Sequence, residues 1–124
     1  MKSTIPQNDD FIDVPVFEFE KALKRVHQKK DLLKRVLDIF VNSLSERINA
    51  IKTELNNENW QSLESLAHST KGSSWTIGAQ QLGDISYAME KAAYNKDIRL
   101  YNDLFLIFQD SVQRFLEVEK KMND

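Results

Sequence analysis

His68, Lys71 and Gly72 occupy positions i, i+3 and i+4 of the stretch Leu66-Ala67-His68-Ser69-Thr70-Lys71-Gly72-Ser73-Ser74. A neutral imidazole, with an ordinary pKa of about 6.5, keeps one ring nitrogen free to attack phosphorus near neutral pH and can later surrender the phosphoryl group. A lysine three residues further along a helix shares the histidine's face and can offset the charge of phosphate oxygens formed there. The glycine one turn beyond the ring removes a side chain from the space in front of it. In-line phosphoryl transfer brings donor and acceptor atoms almost into contact, so that clearance matters. Together the three residues predict a phosphoryl-carrying site.

Such a site must be held outward on a rigid element. Trp60, Leu63, Ala67, Thr70, Ser74 and Ile77 step by three and four residues and predict a helix over about 58–76. On a wheel of about 100° per residue, His68 lies about 120° from the centre of that apolar stripe, facing water, and Glu64, His68, Lys71 and Trp75 share an arc of about 60°. Glu64, Ser69 and Trp75 are therefore candidate partner-binding residues around the histidine. Trp75 has two readings, an exposed aromatic at an interface or a ring folded over the bundle end. Ser69, Ser73 and Ser74 are otherwise packing or helix-face residues, because no base is placed to activate a serine. His27 in His27-Gln28-Lys29-Lys30 repeats the His-x-x-Lys spacing, but Asp31 follows where the glycine would stand and the run reads as a loop.

Glu90 is a further candidate. If the chain folds back around Ala79, His68 and Glu90 lie at matching distances from that residue and at similar heights. Glu90 is offset from Met89 by about 100°, as His68 is from Ala67, so both turn toward one groove or both away from it. Turned toward it, Glu90 would accept the N–H of one ring nitrogen and orient the imidazole. Turned away, it is a solvated surface glutamate.

The remaining periodicity supplies the scaffold. A short helix with Glu18 as its cap carries Phe19, Ala22, Leu23 and Val26. A long helix over about 31–55 buries Leu33, Val36, Leu37, Phe40, Leu44, Ile48, Ile51 and Leu55. Helices over about 80–94 and 98–121 bury Leu82, Ile85, Met89 and Ala92, then Tyr101, Leu104, Phe108, Phe115 and Val118, with Phe105 and Val112 beside them. Asn56-Asn57-Glu58-Asn59, Gly78 and Asn95-Lys96-Asp97 separate them. The expected fold is all-α, an antiparallel up-down four-helix bundle with a short extra N-terminal helix over one end. Residues 1–15, polar, acidic and bracketed by Pro6 and Pro15, read as a flexible tail or linker, and 16–124 as the bundle domain.

The chain has 124 residues, 41% hydrophobic and 29% charged, which suits one soluble domain with one core. A net charge of -2 offers no basic face for nucleic acid. The lack of cysteine removes disulfides, thiolate metal sites and thiol nucleophiles. No apolar run approaches the ~20 residues of a membrane helix, and Met1-Lys2-Ser3-Thr4-Ile5-Pro6 lacks a signal-peptide core. A cytoplasmic location is expected.

The run from His68 to Ser74, with Ile77-Gly78-Ala79 and Leu82 after it, resembles the histidine-containing phosphotransfer (HPt) domain of bacterial and fungal phosphorelays, whose pattern is H-x-x-K-G-[S/A], an apolar-Gly-[Ala] turn and a leucine. The stretch from Phe17 to Val26, then Leu32-Leu33 and Ile39-Phe40, is similar to the family's opening, with Glu18 where the family often has Asp. The likeness spans about 17–94, and covers the last helix by length only. It implies that His68 receives a phosphoryl group from an aspartyl phosphate of one receiver domain, on its distal ring nitrogen, and passes it to an aspartate of another. Lys71 would stabilise the phosphate, Gly72 would permit docking, and the Glu90 position often holds a polar residue near the ring. The receivers would bring Mg²⁺, so the chain itself needs no metal or cofactor. It would be a monomeric phosphocarrier without kinase activity, either free-standing or the HPt segment of a hybrid sensor kinase. Three rival readings stand beside this one. A histidine-kinase phosphoacceptor bundle would show an acidic residue after the histidine, a nearby proline and two chains. A di-iron bundle would need inward Glu-x-x-His pairs. A plain helical interaction module would leave the histidine incidental.

Overall fold

A computed structural model describes residues 5–122, and the regular structure among them is entirely helical. A single 3-10 turn, Asn8–Phe11, precedes five helices: α1 (Phe19–Arg25), α2 (Lys30–Asn56), α3 (Trp60–Ile77), α4 (Gln80–Tyr94) and α5 (Ile98–Met122). The helix limits fall within two residues of those expected from periodicity, and the stripes that face inward explain why. Leu63, Ala67, Thr70, Ser74 and Ile77 are the buried residues of α3, and Leu33, Leu37, Phe40, Leu44 and Ile51 those of α2. Each set recurs every three or four residues, so only a helix puts it on one side. Val118, expected inside α5, is half-buried, while Ile107 and Ser111 are buried there instead.

The helices pack in a ring: α2 on α3, α3 on α4, α4 on α5, and α5 back on α2. The α3–α4 seam is antiparallel, since Trp75 bonds to Asp84 near the turn and His68 bonds to Glu90 further from it. Small side chains at Ala67, Thr70 and Ser74 on α3, and at Gly83, Ser86, Ala92 and Ala93 on α4, let these two helices approach closely. Each connection is turned by a left-handed residue: His27 and Gln28, Glu58, Gly78, and Lys96. Gly78 needs to be glycine for two reasons. Its φ is +90°, and a Cβ there would lie 3.2 Å from the Glu18 carbonyl oxygen. That closeness lets the Glu18 N–H donate to the Gly78 carbonyl at 2.8 Å, anchoring the start of α1 on the α3–α4 turn.

The same end of the structure is sealed by aromatic edges, with Phe115 packing against both Phe17 and Phe40 at ring separations of 5.7 and 5.4 Å. Glu18 is the residue before α1 but does not cap it through its side chain. Its carboxylate pairs with Lys21 at 2.7 Å instead, while its backbone N–H bonds to the adjacent turn. At the other end of the α2–α3 connection, the Asn59 side chain accepts from the Ser62 N–H and caps α3.

Residues 5–15, the described part of the stretch read as a flexible tail or linker, make specific contacts. The 3-10 turn lies on α4. The buried Gln81 amide donates to the carbonyls of Phe11 (3.1 Å) and Val14 (3.3 Å), and its backbone N–H to that of Pro15 (2.9 Å). Its side-chain oxygen accepts from Ser111 (2.8 Å) and Arg114 (2.9 Å) of α5. Asn8 adds a side-chain bond to Asp110 of α5 at 3.0 Å, but the acceptors met by Gln81 are backbone carbonyls, which no side-chain pattern reports. Residues 1–4 lie outside the described residues.

Candidate functional site

The site forms where α3 and α4 run side by side, midway along both. His68 projects from α3 with 68% of its side chain exposed, while Lys71 and Glu90 are 16% and 18% exposed. The Glu90 carboxylate bridges the other two: Oε2 is 2.6 Å from His68 Nδ1, and Oε1 accepts from Lys71 Nζ at 2.7 Å. Burial alone would raise the Glu90 pKa. The hydrogen bonds from Lys71 and His68, with the positive charge they bring, more than offset it and hold the carboxyl below its ordinary value. Glu90 is therefore ionised at neutral pH and acts only as an acceptor. The proton between it and the imidazole belongs to Nδ1, and Nε2 of a neutral ring is left with its lone pair. Since the two nitrogens lie on opposite sides of the ring, tying Nδ1 toward α4 turns Nε2 away from α4 and toward solvent.

Lys71 is fixed as well as neutralised. Its ammonium sits 5.2 Å from the centre of the Tyr87 ring and 5.8 Å from that of Trp75. Trp75 is half-buried across the α3–α4 seam. Its Nε1–H donates to Asp84 Oδ1 at 2.9 Å, and its ring occupies the place of a side chain at Gly83, where a Cβ would come within 2.1 Å. Gly72 is different: it is exposed, and a Cβ there would meet nothing within 4 Å. The glycine leaves a bare patch beside the imidazole that no internal contact requires.

Ser69 is exposed and accepts from Arg47 Nη1 at 3.2 Å, and Glu64 is half-buried one turn before His68. His27 sits in the α1–α2 connection with φ +55°, away from this cluster. Two residues here escaped sequence reasoning. Tyr87 is an exposed aromatic at the edge of the α4 stripe, and Arg47 lies three residues after the buried Leu44 and four before the buried Ile51. A cation so placed in an apolar stripe is the one signal that pointed to it. Along the α2 side of His68, an open groove of about 780 Å³ runs past Gly72 between Val26, Val36, Ile39, Phe40 and Ile77.

Among the described residues no cluster of three or more Asp, Glu or His side chains is arranged to hold a metal ion, and no helix is long and apolar enough to cross a membrane. No curated protein sequence matches the chain significantly. The fold is similar to the crystal structure of histidine-containing phosphotransfer protein B from Pseudomonas aeruginosa, with a TM-score of 0.81 over 89% of this chain and 96% of that one at 22% identity. A sequence model of the Hpt domain matches residues 35–118, from early α2 to late α5. With that match over most of the chain, including the helices that carry His68, Lys71 and Glu90, the chain belongs to the Hpt domain family.

Proposed function

We propose that the chain is a phosphorelay intermediate in which His68 takes a phosphoryl group from the aspartyl phosphate of one receiver domain and passes it to an aspartate of another. The observation that carries this reading is the imidazole itself, exposed to solvent with Nδ1 held by Glu90. The Nε2 lone pair attacks phosphorus, an N–P bond forms, and the bond from phosphorus to the aspartyl oxygen breaks, returning a carboxylate to the donor. The imidazolium that forms keeps its Nδ1 proton against Glu90, whose negative charge favours it. The reverse sequence loads the second receiver.

In this scheme Lys71 balances charge near the phosphoryl oxygens, and Gly72 leaves room for the receiver to come close. Glu64, Ser69 and Trp75 flank the contact. Mg²⁺ arrives with the receiver, and the chain carries phosphate without making it from ATP. The scaffold that goes with this reading is a monomeric antiparallel four-helix bundle of α2–α5 with α1 as the extra helix, which the ring of packed helices supports.

The test is to mix the protein with a phosphorylated receiver domain and Mg²⁺. Wild type should acquire an acid-labile, base-stable label and His68→Gln none. Equal labelling of both would refute the assignment. A measured mass of one chain in solution agrees with a carrier, and a dimer would favour a kinase phosphoacceptor bundle.

A further inference from the structure

Arg47 reaches from α2 to the α3 surface beside His68. Its guanidinium donates to four hydroxyls: Nε to Ser43 (3.3 Å), Nη1 to Ser69 (3.2 Å) and Thr70 (2.9 Å), and Nη2 to Ser73 (3.2 Å). Ser43 and Thr70 give their own protons to the carbonyls of Phe40 and Leu66, so their oxygens are turned to the arginine as acceptors. Three hydroxyls on one side of α3, with Ser43 of α2, thus hold a half-buried cation with neutral dipoles. Among the described residues no carboxylate lies within 4.0 Å of it, although the chain carries 19 Asp and Glu. One of its five N–H groups, on Nη2, has no acceptor among the described residues.

A partly desolvated, unpaired cation is unfavourable unless an anion joins it. The two cations near His68 therefore differ in kind. Lys71 is already matched to Glu90 on the α4 side. Arg47 has no carboxylate partner among the described residues and lines the groove with His68, Ser69 and Gly72, on the side of α3 away from Glu90. We propose that Arg47 is a second phosphate-facing cation, which pairs with the phosphoryl group carried on His68 Nε2. This rests on His68 being the phosphoacceptor. The hydroxyls hold the guanidinium close by in the unloaded state, and the dianion supplies the counter-charge that no described carboxylate brings within 4.0 Å of it. Among the described residues, Glu90 bonds the ring and Lys71 bonds Glu90, Glu64 lies one turn before His68 on α3, Lys91 sits over the Tyr87 ring on α4, and Arg25 of α1 lies further along the groove.

The test needs no receiver. In a His27→Asn background, chosen because that position has φ +55°, phosphoramidate phosphorylates His68, and the second ionisation of the phosphoryl group is followed by ³¹P NMR against pH. Loss of the Arg47 charge in Arg47→Gln should raise the midpoint by about half a pH unit, and Arg47→Lys should restore most of the difference. Equal midpoints in wild type and Arg47→Gln would overturn the proposal, as would a His68 that phosphoramidate leaves unlabelled. If Arg47→Gln fails to fold, the Arg47 Nε–H resonance of the otherwise unaltered protein gives the answer: it should move on phosphorylation, and an unmoved signal refutes the pairing. A His68 that labels chemically and titrates as expected but takes nothing from a receiver would sink the relay while leaving the Arg47 contact in place.

Discussion

Two polar clusters on α4 share a plan and differ in what they leave over. At one, Gln81 joins α4 to α5 and to the N-terminal segment. At the other, Glu90 joins α4 to α3 through His68 and Lys71. Gln81 is 3% exposed and uses its whole valence, with two N–H bonds given to Phe11 and Val14 and two bonds accepted from Ser111 and Arg114. The Glu90 cluster is satisfied internally as well, yet it ends on an imidazole whose second nitrogen faces water. A closed network holds a fold together. One that closes on every side but one presents the open side to a reactant, and rigidity at the closed bonds orients it.

The largest effect should follow from opening the closed cluster. Gln81→Ala leaves the Ser111, Arg114, Phe11 and Val14 groups without their partner and should cost about 3 kcal/mol in urea unfolding, with the label per folded molecule at His68 unchanged. A loss below about 0.5 kcal/mol would show that water replaces the amide and that the two clusters do not differ in this way.

Glu90→Gln should do the reverse. The amide offers one acceptor oxygen in place of two and holds no charge against the imidazolium, so phosphoryl transfer should slow about tenfold, equivalent to about 1.4 kcal/mol, with little loss of stability. Wild-type rates would make Glu90 a surface residue that happens to touch the ring.

The two glycines sharpen the contrast. Gly83→Ala forces a Cβ into the Trp75 ring and should destabilise by about 2 kcal/mol. Gly72→Ala meets open space and should stabilise α3 by up to about 1 kcal/mol while slowing transfer from a receiver. Faster or equal transfer by Gly72→Ala would remove docking clearance from the account.

The smallest effect concerns pH. The Glu90 pKa is lower in the folded chain than its ordinary value of 4.5, so unfolded protein takes up that proton more readily. The stability Glu90 confers is complete above that ordinary value and is lost as pH falls through the depressed one. The stability gap between wild type and Glu90→Gln should therefore stay level at neutral pH and narrow on acidification below 4.5. A gap that widens there would reverse the sign assigned to this carboxylate.

How much of this was legible in the sequence follows from what each feature depends on. The α3 stripe from Leu63 to Ile77 is local and periodic, so it could be read directly, as could the turn at Gly78. The height match of His68 and Glu90 needed only a count from Ala79, because antiparallel helices joined by a tight turn keep a simple register. Whether Glu90 turned toward the ring could not be read, since that depends on the rotation of α4 about its axis. Trp75 was ambiguous for the same reason: the slot it fills exists only because Gly83 comes opposite it. The docking of residues 5–15 rests mostly on carbonyl acceptors, and the Arg47 clamp mostly on hydroxyls of another helix. Neither leaves a trace in spacing along one element.

The most direct measurement of the central claim is the position of the phosphoryl group after transfer from a phosphorylated receiver, read by ³¹P and ¹⁵N NMR on protein labelled at its imidazole nitrogens. The account predicts one phosphohistidine, at His68, with phosphorus on Nε2 and the proton retained on Nδ1 against Glu90. Phosphorus on Nδ1, on His27, or on no histidine at all would contradict it.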